Sequence, residues 1–115
     1  PGIKTSATAL FERTAKLPNV DLETPNRVIC KNTIENMQAG LIFGQMGLAE
    51  RIIEGMKKEL VSDYGKKYED IKVIATGGMA TMVDSGVSCI DVIDRRLTLD
   101  GLVEVYEKNK AVRKK

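Results

Sequence analysis

Histidine and tryptophan are absent from the 115 residues, and aromatic residues make up only 4%. Without histidine there is no Ser-His or Cys-His nucleophile and no HExxH zinc site, so any proton transfer falls to a carboxylate, a lysine or a tyrosine. Cysteine is scarce. Cys30 and Cys89 stand alone with no CxxC, and read as small reduced core residues of a cytosolic protein. Charge of one sign is lacking too: 18 basic residues against 16 acidic ones leave a formal +2. That balance argues against a nucleic-acid or membrane footprint through bulk charge. No apolar run nears the length a bilayer needs and no signal peptide is recognisable, so the expectation is a cytoplasmic protein with no membrane and no nucleic acid among its partners.

What is present suffices for a packed core, with 43% apolar residues, and the length fits one domain or one piece of a larger one. The chain opens "PGIKTSATAL", without an initiator Met and inside a Pro-Gly turn of the kind that connects two elements. The expectation is therefore that something precedes it. At the other end Lys108, Lys110, Arg113, Lys114 and Lys115 read as a solvated tail.

Helical spacing places Ala9, Leu10, Phe11, Ala15 and Leu17 on a first helix behind the candidate caps Thr5 and Ser6. Residues 18–29 carry two prolines and read as an extended connection with room for a short strand. From Asn32 to Tyr64 one stripe continues through Ile34, Met37, Leu41, Leu48, Ile52, Met56 and Leu60. Asn32 and Glu35 have capping-box spacing, and Gly65 stands where a left-handed C-cap belongs. A straight helix of that span is about 45 to 50 Å long. A compact chain of this size has a radius of gyration of about 13 Å, so either a glycine breaks the helix or one flank meets something outside the chain. Ala39, Gly40 and Gly44 would let another backbone approach closely.

Downstream, the run from Ile71 to Ala75 predicts a short buried, parallel strand ending in Thr76-Gly77-Gly78, and Met79, Met82 and Val83 begin a short helix. "SCIDVID" predicts another strand. A last amphipathic helix follows, capped by Thr98, with Leu99, Leu102, Val103 and Tyr106 inward. Helices alternating with strands indicate an α/β unit, although two or three strands are few for a self-sufficient sheet.

Three features carry candidate chemistry. At the strand-TGG-helix junction, glycines let backbone lie flat against a ligand, but neither a P-loop nor GxGxxG is present, and a plain tight turn reads as well. Asp91 and Asp94 sit beside Arg95 and Arg96 and read as strand-edge and turn residues rather than an acid/base or metal pair, as do Asp84 and Asp100. No general base emerges, so no catalytic or metal-ligating residue is assigned. In Lys31-Asn32-Thr33 the cap needs only Asn32. The Thr33 hydroxyl is left either idle or joined with the helix-start N–H groups toward a polar ligand.

Taken together, "PGIKTSATALFERTAKLP", "KNTIENMQAG", "VIATGGMA" and "LTLDGLVEVYEKN" resemble, in order and spacing, the C-terminal half of type III pantothenate kinase, also called the Bvg accessory factor-like family. The resemblance implies a ribonuclease H-like, actin-like ATPase fold, with residues 1–115 as the C-terminal domain of a two-domain kinase whose N-terminal half is absent from this chain. It implies ATP-dependent phosphorylation of pantothenate to 4'-phosphopantothenate, the first step of coenzyme A biosynthesis. Mg2+ and a monovalent cation, K+ or NH4+, would be bound mainly by the N-terminal half. It also implies a homodimer through the helix 32–64, with Thr33 contacting pantothenate across the interface, and Gly77 and Gly78 lying by the nucleotide. Pro1-Gly2 would match a turn near the domain cleft. The phosphate loop and catalytic aspartates of the family have no counterpart here, so the chain alone is expected to be inactive. The other reading is a non-catalytic regulatory or oligomerisation module of the transcriptional-activator type, for which there is no helix-turn-helix signal.

Overall fold

The structure, a computed structural model, describes residues 1–80 and 86–112, with side chains described to residue 110. Met82, Val83, Asp84 and the tail residues Arg113, Lys114 and Lys115 lie outside the described residues. In chain order the elements are α1 (Ile3–Glu12), α2 (Thr33–Tyr64), a single 3-10 turn (Tyr68–Asp70), β1 (Ile74–Ala75), β2 (Val92–Ile93) and α3 (Leu97–Val112). The architecture is α/β: among the described residues, three helices accompany a two-stranded parallel sheet.

The first helix starts earlier than its polar residues suggest. Gly2, extended and without a side-chain cap, precedes α1, and the Ser6 N–H donates to the Gly2 carbonyl at 3.0 Å. Thr5 and Ser6 are thus inside the helix instead of capping it. Ile3 is buried in the core, and that tertiary contact sets the helix start ahead of local capping preference.

Helix α2 is unbroken over 32 residues, so none of its glycines interrupts it. Asn32 is its cap: Asn32 Oδ1 accepts the Glu35 N–H at 2.9 Å, while its carbonyl accepts both the N–H and the side-chain amide of Asn36. At the far end Gly65 adopts φ 63°, which a side chain would disfavour, and the Lys66 N–H closes on the Leu60 carbonyl at 3.1 Å. The radius of gyration is 18.9 Å and the long dimension 63 Å, far from the compact limit of about 13 Å. The helix overhangs the body of the chain.

The core occupies only one end of this helix. Leu41, Ile42 and Met46 from its first half meet Ile3 and Val87, and Ala7, Leu10, Val20, Leu22, Met79, Cys89 and Ile90 pack around them. Gln38 is buried among these groups and donates to the Asp21 carbonyl at 2.9 Å, pinning the connection 13–32 onto the helix. The buried arc, Gln38, Ala39, Ile42 and Met46, is rotated roughly a quarter-turn from the stripe expected at 3.6 residues per turn. Of that stripe only Leu41 is buried. Ile34, Leu48, Ile52 and Met56 are exposed.

The sheet differs from expectation in burial rather than direction. β1 and β2 run parallel in the register Ile74↔Val92 and Ala75↔Ile93, yet Ile74 is 51% exposed and Val92 49%, so the strands are not buried. Among the described residues no element buries those two side chains. Instead side-chain bonds hold the pair together. Asp91 Oδ2 accepts the Val73 N–H at 2.7 Å, and the Asp91 and Val92 N–H groups donate to the Val73 carbonyl at 3.0 and 3.2 Å. The connection 18–29 forms no strand, and Cys30 is half-buried outside the core cluster.

Helix α3 corrects two further expectations. Leu99, Leu102, Val103 and Tyr106 are all exposed by about 60%, not inward, because α3 stands clear of the core and draws its support from its own turns. Arg96 pairs with Asp100 at 3.2 Å and Lys108 with Glu104 at 3.5 Å. Thr98 lies inside the helix; Asp94 Oδ1 does the capping by accepting the Arg96 N–H at 2.9 Å.

These placements predict a contrast by chemical denaturation of this chain. Ile42→Ala removes a fully buried side chain and should cost about 2 to 5 kcal/mol. Asn32→Ala should cost about 1 kcal/mol through the lost cap. Thr33→Ala, at an exposed site outside the cap, should stay within about 0.5 kcal/mol.

Candidate substrate and nucleotide sites

Thr33 is the first residue of α2 and is exposed. The cap is made by its neighbour, so the Thr33 hydroxyl is not used in closing the helix start. It stands at the positive end of a 32-residue helix, where backbone N–H groups of the first turn favour a polar or anionic group. Two clefts flank this end. A polar one of about 320 Å³ is lined by residues 23–27 with Glu35 and Gln38. A wider, more open one of about 600 Å³ is lined by residues 26–29 and Lys31, with Ile29 86% exposed on it. Thr33 lines neither.

Farther along α2, Gly40, Gly44 and Leu48 line a shallow cleft of about 200 Å³ together with Pro1 and Ser6 of the chain start. A Cβ added at Gly40 or Gly44 would meet nothing within 4 Å. Close packing against the described residues is therefore not what these glycines serve. Ala39, by contrast, faces the core.

Gly77 and Gly78 follow β1 after Thr76 and are exposed. Gly77 has φ 96°, a conformation that L side chains rarely adopt, and its carbonyl accepts the Ala80 N–H at 3.2 Å. Gly78 has no such backbone requirement, and a Cβ there would have open space around it. The turn is held at both ends: the Asp94 N–H donates to the Ala75 carbonyl at 2.9 Å before it, and Met79 and Ala80 pack inward after it. The result is a backbone loop presented to solvent from fixed ends. Neither Thr33 nor either glycine lines any of these three clefts.

Asp91, Asp94, Asp100 and Glu54 each make hydrogen bonds or ion pairs within the chain. Its hydrogen bond from the Val73 N–H, helped by Lys72 and Lys57, holds the Asp91 carboxyl below the ordinary aspartate value. Asp94 caps α3 and Asp100 pairs with Arg96. Near the end of α2, Tyr68 Oη donates to Glu54 Oε2 at 2.6 Å while the Lys57 ammonium sits 5.0 Å from the Tyr68 ring centre. That hydrogen bond, then Lys58, lowers the Glu54 pKa, and the same bond raises that of Tyr68. Among the described residues no group of three carboxylate or cysteine side chains could hold a metal ion, so they do not fit a metal site.

Two residues that the sequence reading passed over shape this region. Gln38 is a polar residue in an apolar helix face, a pattern visible in the sequence, and it ties the polar cleft to α2. Gly86 has no local signature. A Cβ there would collide with the Met46 Sδ and lie 2.7 Å from its Cε, so the glycine admits Met46 to the core.

Residues 1–55 match the family model described as type III pantothenate kinase, transferases of coenzyme A biosynthesis. The match takes in α1, the connection, the Lys31-Asn32-Thr33 block and α2 through Gly55, and it ends before the glycine turn, the sheet and α3. Across those residues, which carry the PGI and KNT blocks, the family match supports the one that the sequence resembles, type III pantothenate kinase.

Proposed function

We propose that this chain is the C-terminal domain of an ATP-dependent kinase that phosphorylates pantothenate to 4'-phosphopantothenate, with a ribonuclease H-like, actin-like fold completed by an N-terminal half. The observation that carries the reading is the family match over residues 1–55 together with a Thr33 hydroxyl that the helix cap leaves unused. Thr33 contacts pantothenate, its hydroxyl acting with the first-turn N–H groups of α2 on a polar group of the substrate. The contact is made across a homodimer interface on α2. The outward stripe Ile34, Leu48, Ile52 and Met56, beside the open Gly40 and Gly44, is in keeping with a partner there.

Gly77 and Gly78 lie by the ATP, where an exposed backbone without side chains permits close approach. Gly78 supports this, since neither its conformation nor packing against the described residues asks for a glycine at that position. Mg2+ and K+ or NH4+, which supply charge neutralisation to phosphoryl transfer, belong to the N-terminal half in this reading, as do the groups that hold the phosphates and activate the attacking hydroxyl. A cytoplasmic location is part of the proposal; no described helix is long and apolar enough to cross a membrane.

Steady-state kinetics of the enzyme joined to its N-terminal half test the substrate assignments. Thr33→Ala should raise the KM for pantothenate about tenfold, the order expected for one lost hydrogen bond of about 1.4 kcal/mol, and leave that for ATP unchanged. Gly78→Ala should do the reverse while the melting temperature stays put. An unaltered pantothenate KM in the first variant sinks the role of Thr33. The chain by itself should show no turnover, and measurable phosphorylation of pantothenate by it would refute the division of labour.

A further inference from the structure

The sheet that delivers the glycine turn has only two residues per strand, with the outer faces of Ile74 and Val92 open. So short a ladder has little power to set its own register. Asp91 supplies what the ladder lacks. Its carboxylate accepts from the Val73 N–H at 2.7 Å and its own N–H returns to the Val73 carbonyl at 3.0 Å, so one residue grips both polar groups of the residue preceding β1. A charged acceptor makes the first of these bonds stronger than a backbone equivalent. Lys72 Nζ stands 3.8 Å from the other carboxylate oxygen, a distance at which an exposed pair adds little.

Val73 is four residues ahead of Gly77. Between them only Ile74, Ala75 and Thr76 intervene, and the last sheet bond before the turn is the one from the Asp94 N–H to the Ala75 carbonyl. On the other side Met79 is fastened in the core. The direction in which the Gly77–Gly78 backbone faces is therefore set at its upstream end by the register of β1 on β2.

We propose that Asp91 is a positioning residue for the nucleotide: by clipping Val73 it fixes the register of β1 and so aims the Gly77–Gly78 backbone, a role that rests on those glycines lying by ATP. Asp91 does not touch the nucleotide in this scheme. The variants Asp91→Ala, Asp91→Asn and Lys72→Met separate the possibilities, each followed by amide hydrogen exchange and by the KM values for ATP and pantothenate in the enzyme joined to its N-terminal half. In Asp91→Ala, exchange should quicken at least tenfold at the amides the pairing protects, those of Val73, Val92 and Asp94, while the amides of Ile42 and Met46 keep their protection. The KM for ATP should rise about fivefold, with that for pantothenate within twofold. Asp91→Asn retains an oxygen that accepts from the Val73 N–H and should recover most of both losses, and Lys72→Met should behave as the parent.

Unchanged exchange at Val73, Val92 and Asp94 in Asp91→Ala overturns the clip, whatever the kinetics. Faster exchange with an unaltered KM for ATP leaves the clip intact and overturns the nucleotide role of the turn, and with it the positioning role. Quickened exchange throughout the core, or an Asn variant as damaged as the Ala one, shows a general loss of stability or a need for charge and equally refutes the proposal.

Discussion

The burial of Ile42 and Met46 on the first half of α2 is the contact on which the other placements depend. Ile3 fixes α1 to it, Val20 and Leu22 bring the connection across it, and Met79, Val87 and Ile90 tie the downstream segment to the same spot. Every functional candidate hangs from that junction. Thr33 lies at the start of the helix whose first half is embedded there, and the glycine turn ends at Met79, embedded there as well. A rigid helix and a packed anchor thus determine the separation of the two sites.

Because the core sits at one end, the rest of α2 has to be held by local means. The left-handed Gly65 stops it, and the Tyr68 to Glu54 hydrogen bond with Lys57 over the ring folds the following turn back along its side. These contacts are solvent-exposed and individually worth little. They steer the chain from α2 into β1. The sheet and α3 repeat the pattern, with carboxylates of Asp91 and Asp94 doing the work that long ladders and buried faces do in larger units.

Elements whose cause is local were legible in the sequence. The Asn32 cap and the Gly65 stop need only neighbours a few residues away, and both stand where their residue types place them. So does the extent of α2. Strands were expected near Ala75 and Ile93, the first of them parallel, but their mutual pairing and their exposure were not. Elements whose cause is a distant contact were not. Thr5 and Ser6 look like caps, but Ile3 is drawn into the core and the helix begins before them. Periodicity identifies an apolar stripe on α2 and another on α3 without saying what each faces, and within this chain both face outward. Of the candidate site, residue identity at Thr33, Gly77 and Gly78 was readable, whereas the Asp91 grip on Val73 joins residues 18 apart and leaves no mark in spacing.

The glycines separate what the chain needs for itself from what it offers to something else. Gly65 and Gly77 adopt backbone angles that side chains resist, and Gly86 leaves room for Met46, so the fold itself accounts for all three. Gly40, Gly44 and Gly78 have ordinary backbone angles and open space where a Cβ would go, although each costs backbone entropy relative to alanine, about 0.5 to 1 kcal/mol in a helix. Among the described residues nothing repays that cost. Two of them lie along α2 beside an outward apolar stripe and one on a turn held firmly at both ends, which are the places where the proposed partner subunit and nucleotide would approach. Open space is not by itself the mark of a contact, since Gly47 and Gly55 on α2 and Gly101 on α3 have it too. What sets Gly40, Gly44 and Gly78 apart is their place beside the outward stripe and on the anchored turn, and Thr33, spared by the cap beside it, offers its hydroxyl in the same way.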